Sequence, residues 1–577
     1  MEIPVRQCLV GSLHSSLTRR PCLTLSGASL VTTLLALPAA PVLAASQVSL
    51  NFPSFNTTIT VPVSELQTFA QTGQLSPSLG AFAKLAPPNS LNQLRTLLQE
   101  PFQLTPVSIN RFSQSTTGQL LFEALGEFFQ TSDQQNGQTA LVTAFQGAAA
   151  NPKGFSVLDV INNFPGDTIN INGPLSFRAI TTIGQRLNDR SAILATIQQL
   201  SQTTPWPTLT NPTDLSKSGS TKWIKQTKSL DASPLGLKGS VPVDFYLPQG
   251  LTSPAPVVVI SYGFASNQNT FAYLASHLAS NGFVVAMPTY PYTSEAAISG
   301  FLTGTTKARN LDIQGSLLLR PRGTTLLLDY MQKLTETDPS WKQAVNLQQV
   351  GILGQSLGGY TALASAGASL DLPGVQQNCS ASNFENVVLT FNVSLLFQCQ
   401  LATAPKTING VDVSSPNVGD ARIKAVVGVN PLTSVVFGRP GMGQLAVPTI
   451  LIAGDDDVFA PPVQEQINPF TWLTIPNRYL FVLKRGTHFS FLGSEGSQGG
   501  ALPVPADLIG PSATLAQPAL KAASLAFFRS YLQGQTQFLD YLNPTYLQGQ
   551  VQPPFGVNFV RSLTAKQLLD ATSTTSR

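Results

Sequence analysis

The stretch VGILGQSLGGYTALASAGA, residues 350–368, decides how this chain is read. A continuous apolar run ends at Gly354, and Gln355, Ser356 and Leu357 carry it to Gly358 and Gly359. A run of small residues of helix-forming character follows. The pattern predicts a buried strand, a sharp turn and a helix. Glycines at 354 and 358 let the backbone turn without Cβ clashes, so the turn is either a tight packing device or a mount that holds Ser356 out at its tip. A helix N-terminus behind the serine favours negative charge developing there. The spacing G-x-S-x-G arises by chance about 0.2 times in a chain this long. Its strand–turn–helix setting gives it weight, because that is the setting a serine nucleophile needs.

Working outward, residues 216–577 carry a series of similar runs. Residues 241–247 (VPVDFYL) alternate like a half-buried antiparallel strand, whereas PVVVIS (256–261) and FVVAM (283–287) are continuously apolar, as buried parallel strands are. Residues 350–353, 425–429, 449–453 and 479–483 continue the series, with helical stretches between most of them. Strand and helix alternating in this way predict an α/β fold with a mostly parallel, doubly wound sheet. Two departures are expected: a long insertion at 371–420 and a shorter irregular region at 300–322. A final helix is expected from 515 to about 542, with a polar tail after it.

A serine hydroxyl needs a base. Of the histidines beyond the leader, His277 lies within FAYLASHLASNG and reads as a helix-surface or packing residue. His488, in RGTHFSFL, stands just past a strand, where a loop presents it. The base needs an acid to fix its tautomer. The strand PTILIAG ends in Asp455, Asp456 and Asp457. Asp457 reaches furthest from the strand and is the expected acid; Asp455 and Asp456 are then a solvated turn or a cap for the next helix. The chain order Ser, Asp, His suits an α/β-hydrolase. An oxyanion needs donors, and the backbone N–H groups of Leu357 and Phe264 are the expected ones.

The chain has 577 residues, enough for two or three domains. Charged residues are only 11%, the net charge is +4 and no basic cluster interleaves with aromatics, so nucleic-acid binding is not supported. Residues 1–45 read as a secretory signal: Arg6, Arg19 and Arg20 precede an apolar stretch that ends PAAPVLAA, with cleavage near Ala44 or Ala45. An uncleaved anchor is the alternative; Pro38 and Pro41 favour cleavage. Thr18-Arg19-Arg20 loosely resembles a twin-arginine signal. No later stretch is apolar for about 18 residues, so the mature chain is expected to be soluble or peripheral to a membrane, in a periplasmic or extracellular setting. Cys8 and Cys22 leave with the signal, and Cys379 and Cys399 remain. An oxidising compartment would join these two in a disulfide; two separate buried thiols are the alternative. No metal site is expected, and no cofactor is implied. Residues 46–215 hold a short β-like start at 48–62, then helical periodicity and a proline-rich linker at 203–213. They predict a small, mostly helical domain whose task its residues do not state.

The stretches PAPVVVISYGFAS, FAYLASHLASNGFVVAMPTYP, VGILGQSLGGYTALA, PTILIAGDDDVFAPPVQEQINPFTWL and RYLFVLKRGTHFSFL together resemble bacterial α/β-hydrolases of the platelet-activating-factor acetylhydrolase and dienelactone-hydrolase-like type, over about 223–545. Residues 46–200 resemble the helical domain of unknown function that precedes such a hydrolase in many exported proteins of photosynthetic bacteria. The resemblance implies an α/β-hydrolase fold with Ser356 as nucleophile, Asp457 as acid and His488 as base. Such hydrolases usually have His-Gly after the third strand, where this chain has Tyr262-Gly263, so the oxyanion loop and the substrate preference are where it departs. The expected activity is cleavage of carboxylic esters, with a small-molecule or lipid-like substrate; a catalytically silent envelope binding module and a peptidase are the alternatives.

Overall fold

Among the described residues, fifteen short strands sort into two sheets and one small hairpin. The computed structural model describes residues 44–52, 57–83, 90–306, 311–380, 392–493, 504 and 506–573. The expected export segment therefore lies outside the described residues except for Ala44 and Ala45. From Leu43 onward the chain forms one compact unit.

The N-terminal part begins with β1 (Gln47–Phe52) and β2 (Thr57–Pro62), which pair antiparallel. The two residues β3 (Phe129–Gln130) and the strand β4 (Thr168–Asn172) complete a four-stranded sheet in the order β2-β1-β4-β3. Helices α1 (Val63–Thr72), α2 (Pro77–Ala83), α3 (Ser90–Gln99), α4 (Pro106–Gln114), α5 (Thr116–Phe128), α6 (Gln138–Ala148) and α7 (Val157–Asn162) surround it. This region is thus helices around a mixed sheet and not helices alone; β4, a TININ segment, carries no apolar run that would announce it. The caps follow the sequence. Thr105 and Ser115 accept from backbone N–H groups at the starts of α4 and α5, and Ser156 forms a reciprocal capping box with Asp159 at α7. A long helix, α8 (Gly173–Thr203), then leads to the larger sheet.

That sheet has nine strands: β5 (Trp223–Asp231), β6 (Ser240–Pro248), β7 (Ala255–Ser261), β8 (Val284–Pro288), β9 (Val345–Gln355), then, beyond the hairpin β10 (Thr407–Ile408) and β11 (Val411–Asp412), β12 (Ile423–Val429), β13 (Thr449–Gly454), β14 (Arg478–Lys484) and β15 (Gly556–Val560). Their order is β15-β14-β13-β12-β9-β7-β8-β6-β5. Six neighbours, from β8 to β14, run parallel, and β5, β6 and β15 lie antiparallel at the two ends. The central strands are buried end to end, which is why each reads as an unbroken apolar run.

Three sequence expectations change. The region 300–322 is mostly helical: α9 (Ala272–Ser280) is followed by α10 (Glu295–Thr303) and by α11 (Ile313–Thr337), which runs through Pro321. Proline removes the N–H that would bond to the carbonyl four residues earlier, here that of Leu317. The hydroxyl of Tyr360 donates to that carbonyl at 2.6 Å, so the gap in the helix is filled from outside. The last long helix stops at Leu532. The tail beyond it is not simply polar: β15 pairs with β14, and Phe559 and Val560 are buried.

His277 is a packing residue of α9, 2% exposed, and neither ring nitrogen has a hydrogen-bond partner among the described residues. Burial first, and then the charge of Lys521, lower its pKa to about 3. The unfolded chain binds a proton near 6.5 that the folded chain refuses. His277 therefore costs no stability above pH 6.5 and costs more as pH falls from 6.5 toward 3, by up to about 1.4 kcal/mol per unit. His277→Leu is expected to shrink the drop in thermal midpoint between pH 7 and pH 4.5. An equal drop in both proteins would contradict this assignment.

Candidate active site

Four loops at the carboxyl ends of neighbouring parallel strands meet, as ligand-binding loops do in open α/β sheets. Ser356 follows β9 directly and opens helix α12 (Leu357–Ser365). Its backbone has φ 58° and ψ −124°, a region that L-residues other than glycine rarely occupy. The flanking glycines make that turn sterically feasible. A Cβ on Gly354 would collide with the Gly358 carbonyl, and one on Gly358 with the carbonyls of Ser261 and Tyr262. The serine amide donates to Val429 O at 2.9 Å, tying the turn to β12.

Asp457 lies past the end of β13 and His488 past the end of β14. Asp457 Oδ2 and His488 Nδ1 are 2.7 Å apart. The other carboxylate oxygen, Oδ1, accepts from the amides of Phe459 and Ala460 at 2.8 Å each, which aims the group. The Asp457 side chain is fully buried and that of His488 is 10% exposed. With Nδ1 bonded to the carboxylate, Nε2 is the ring nitrogen left to take a proton. Ser356 and His488 line one cavity of about 270 Å³. A larger groove, about 900 Å³, is lined by Asp457 but by neither Ser356 nor His488. The smaller cavity is therefore where the three side chains' chemistry can meet a ligand.

Asp455 and Asp456 do form a turn, partly buried and not fully solvated, and neither caps the next helix. Asp455 accepts from the Arg485 amide at 2.6 Å. Burial, and then the adjacent Asp456 charge, push its carboxyl up to about 6. Asp456 pairs with Arg190 of α8 at 2.6 Å and with Arg485 at 3.3 Å. Asp455 and Asp456 thus share Arg485, and Asp457 is the one on the histidine. Among the described residues, neither the Leu357 amide nor the Phe264 amide donates to a protein group, and both residues line the cavity.

Besides the strand-end loops, three separate parts of the chain line the cavity. Phe112, Thr117 and Leu121 arrive from α4 and α5, Ile298 and Leu302 from α10, and Val393, Leu396 and Phe397 from the insertion. The N-terminal region is fastened there: Ser108 Oγ donates to Leu302 O at 3.0 Å and Gln400 Nε2 to Thr117 Oγ1 at 2.8 Å. Helices α4 and α5 of the N-terminal region thus roof the cavity. Within the insertion Cys379 and Cys399 form a disulfide.

Sequence reasoning missed three buried polar residues at this site. Asn430 donates to Thr487 O at 3.3 Å and accepts from the Gly454 amide at 2.9 Å, linking the ends of β12, β13 and β14. Gln355 Nε2 donates to His488 O at 3.1 Å. Glu465, fully buried, accepts from Asn392 Nδ2 at 2.6 Å, the Thr433 amide at 2.7 Å, the Ser434 amide at 2.9 Å and Gln398 Nε2 at 3.1 Å, as well as from the Ser434 hydroxyl. A lone acid in the mostly apolar stretch VFAPPVQEQINPF, residues 458–470, is the only signal that could have marked it.

A family model described as "Alpha/beta hydrolase of unknown function (DUF1400)" matches residues 44–172. The likeness covers β1 to β4 and the helices between them, stops before α8, and leaves the nine-stranded sheet outside. No curated protein matches the chain.

Glu465→Ala is expected to destabilise the protein by about 3 kcal/mol, because several buried donors lose their acceptor at once. It should also speed proteolytic cleavage within 371–420. Unaltered urea unfolding and unaltered cleavage would show that the carboxylate does not fasten the insertion.

Proposed function

We propose that this chain is an exported serine hydrolase of the α/β-hydrolase fold that cleaves carboxylic esters with apolar acyl groups. One observation carries the reading. Ser356, held at φ 58° on the turn after β9, shares a cavity with a histidine whose far nitrogen lies 2.7 Å from a buried aspartate. In this reading Ser356 Oγ attacks the ester carbonyl while His488 Nε2 takes its proton. Asp457 holds the ring and stabilises the imidazolium. The amides of Leu357 and Phe264 receive the oxyanion. His488 then returns the proton to the leaving alcohol, and water, deprotonated by the same nitrogen, releases the acid.

The substrate class follows from the wall. Its side chains are apolar or neutral except for the His488 ring, so nothing along it neutralises a phosphate or a carboxylate. A charged acyl group would lose its water without a partner, whereas burial of methylenes gains about 0.8 kcal/mol each. Neutral, lipid-like esters fit best. Export is supported by the leader-like text of residues 1–45 and by the disulfide; among the described residues no helix is long and apolar enough to cross a membrane.

Ser356→Ala should lower turnover of p-nitrophenyl butyrate by at least about 10⁴-fold and abolish labelling by a fluorophosphonate probe. Across p-nitrophenyl esters, kcat/KM should rise from acetate to medium-length chains. Undiminished turnover in the alanine variant would end the mechanism; wild-type protein that neither turns over esters nor labels would point to a binding module.

A further inference from the structure

Behind the loop that carries Phe264 lies a cation that has no anion beside it among the described residues. Arg320 sits in α11 directly after Leu317, Leu318 and Leu319, and is 4% exposed. Each of its hydrogen bonds goes to a neutral oxygen. Nη1 donates to Tyr262 O at 2.8 Å; Nη2 donates to Thr293 Oγ1 at 2.6 Å and to Gly263 O at 3.5 Å; and Nε donates to Thr293 Oγ1 at 3.2 Å. The guanidinium also lies 3.8 Å from the ring centre of Tyr290 and 5.7 Å from that of Tyr262. Burial lowers its pKa to about 10, which leaves it charged at neutral pH. Taking a guanidinium out of water with no carboxylate beside it costs several kcal/mol. Ring faces and carbonyl dipoles offset part of that cost. A leucine-rich helix has no packing need for such a group.

What the group holds gives it a use. A trans peptide is planar, so its carbonyl and its N–H point in opposite directions. With the carbonyls of Tyr262 and Gly263 turned toward Arg320, the amides of Gly263 and Phe264 are turned away from it. The loop abuts the serine on that account: a Cβ placed on Gly263 would stand 3.2 Å from Ser356 Cβ. The next residue is fixed as well. Ala265 has φ 56°, and its amide donates to Thr293 O at 2.9 Å. Thr293 therefore grips the loop through its carbonyl and grips Arg320 through its hydroxyl. Tyr262, which stands where similar hydrolases have histidine, supplies a carbonyl and a ring face to the arginine, and its hydroxyl accepts from the Tyr290 amide at 2.8 Å.

We propose that Arg320 is the positioning residue of the oxyanion loop, fixing the 262–264 peptides so that the Phe264 N–H faces the reacting carbonyl oxygen, with its own charge behind those peptides. This rests on the serine hydrolase reading above. It assigns the loop's geometry to one side chain and gives the negative charge of the tetrahedral intermediate a cation in line with the donating amide.

The test compares wild type with Arg320→Met, Arg320→Lys and Thr293→Val. The probes are p-nitrophenyl butyrate, an aliphatic trifluoromethyl ketone that adds reversibly to a serine hydroxyl, and 1-octanol as an unreactive occupant of the cavity. In Arg320→Met, kcat should fall about 100-fold with KM within about threefold, and the ketone should weaken in parallel with kcat. Octanol inhibition should not move, and Arg320→Lys should regain part of kcat. If Arg320→Met does not fold, judged by thermal unfolding, Arg320→Lys and Thr293→Val carry the test, each with kcat lowered about tenfold. A kcat within twofold of wild type in the folded variants would overturn the assignment while leaving the hydrolase reading intact. So would losses matched by equal rises in KM and in the octanol constant. Wild-type protein without turnover or fluorophosphonate labelling would overturn both.

Discussion

Among the described residues the carboxylate of Glu465 accepts hydrogen bonds only from neutral groups: side-chain amides of Asn392 and Gln398, backbone amides of Thr433 and Ser434, and hydroxyls of Ser394, Thr433 and Ser434. These donors belong to the insertion and to the loop after β12, while Glu465 itself follows the loop that holds Asp457. A buried charge left unpaired would be costly; spread over many donors it becomes a joint that cannot be loosened one bond at a time. Three segments with no sequence proximity are locked at one point, and Ser394, whose amide donates to Phe459 O at 2.9 Å, extends that joint to the acid's own loop. The insertion's apolar residues can line the cavity because this polar joint fixes where they start.

Arg320 is the counterpart of opposite sign. Each of the two groups is buried, lacks an ion-pair partner among the described residues, and is satisfied by dipoles. Each acts on a loop at a strand end, the arginine on the loop after β7 and the glutamate on the one after β12. A third tie is neutral. Pro321 leaves the Leu317 carbonyl without its helical donor, and Tyr360, four residues past Ser356, supplies the missing bond. The helix behind the serine and the helix carrying Arg320 are thereby joined within a turn of both residues. Strain at Ser356 persists because its surroundings determine it from several directions.

How much of this could be read beforehand depends on whether the cause is local. Strands β7, β8 and β12 to β14 and the second half of β9 announce themselves, since a strand buried on both faces is apolar over its buried length; β6 announces itself by alternation instead. β5 did not: WIKQTKSLD lies at the sheet's end with mostly exposed side chains, so its pattern resembles a loop. β15 did not, because five residues after a run of prolines and glutamines are too few to show a period. Ser356, Asp457 and His488 were legible as residues just past strands. Arg320, Asn430 and Glu465 were not, because what defines them is a carbonyl or an amide dozens of residues away. The roof supplied by α4 and α5 was illegible for the same reason: nothing in an amphipathic helix states which surface it will cover.

The long helix α8 finds its partners at the other end of the chain. Ser201 Oγ accepts from the Phe559 amide at 3.0 Å across 358 residues of sequence. Trp206, just beyond the helix, packs on the Phe559 ring at 5.8 Å and beneath Arg561 at 4.4 Å. A chain made from its N-terminus at about 5–20 residues per second brings those partners out roughly 20–70 s after the helix. For that interval the end of α8 around Ser201 lacks those partners, while its first turns already rest on β1, β4 and α5. The last residues of the chain thus complete the packing of this helix, and a chain cut before β15 would leave Ser201 and Trp206 without those partners.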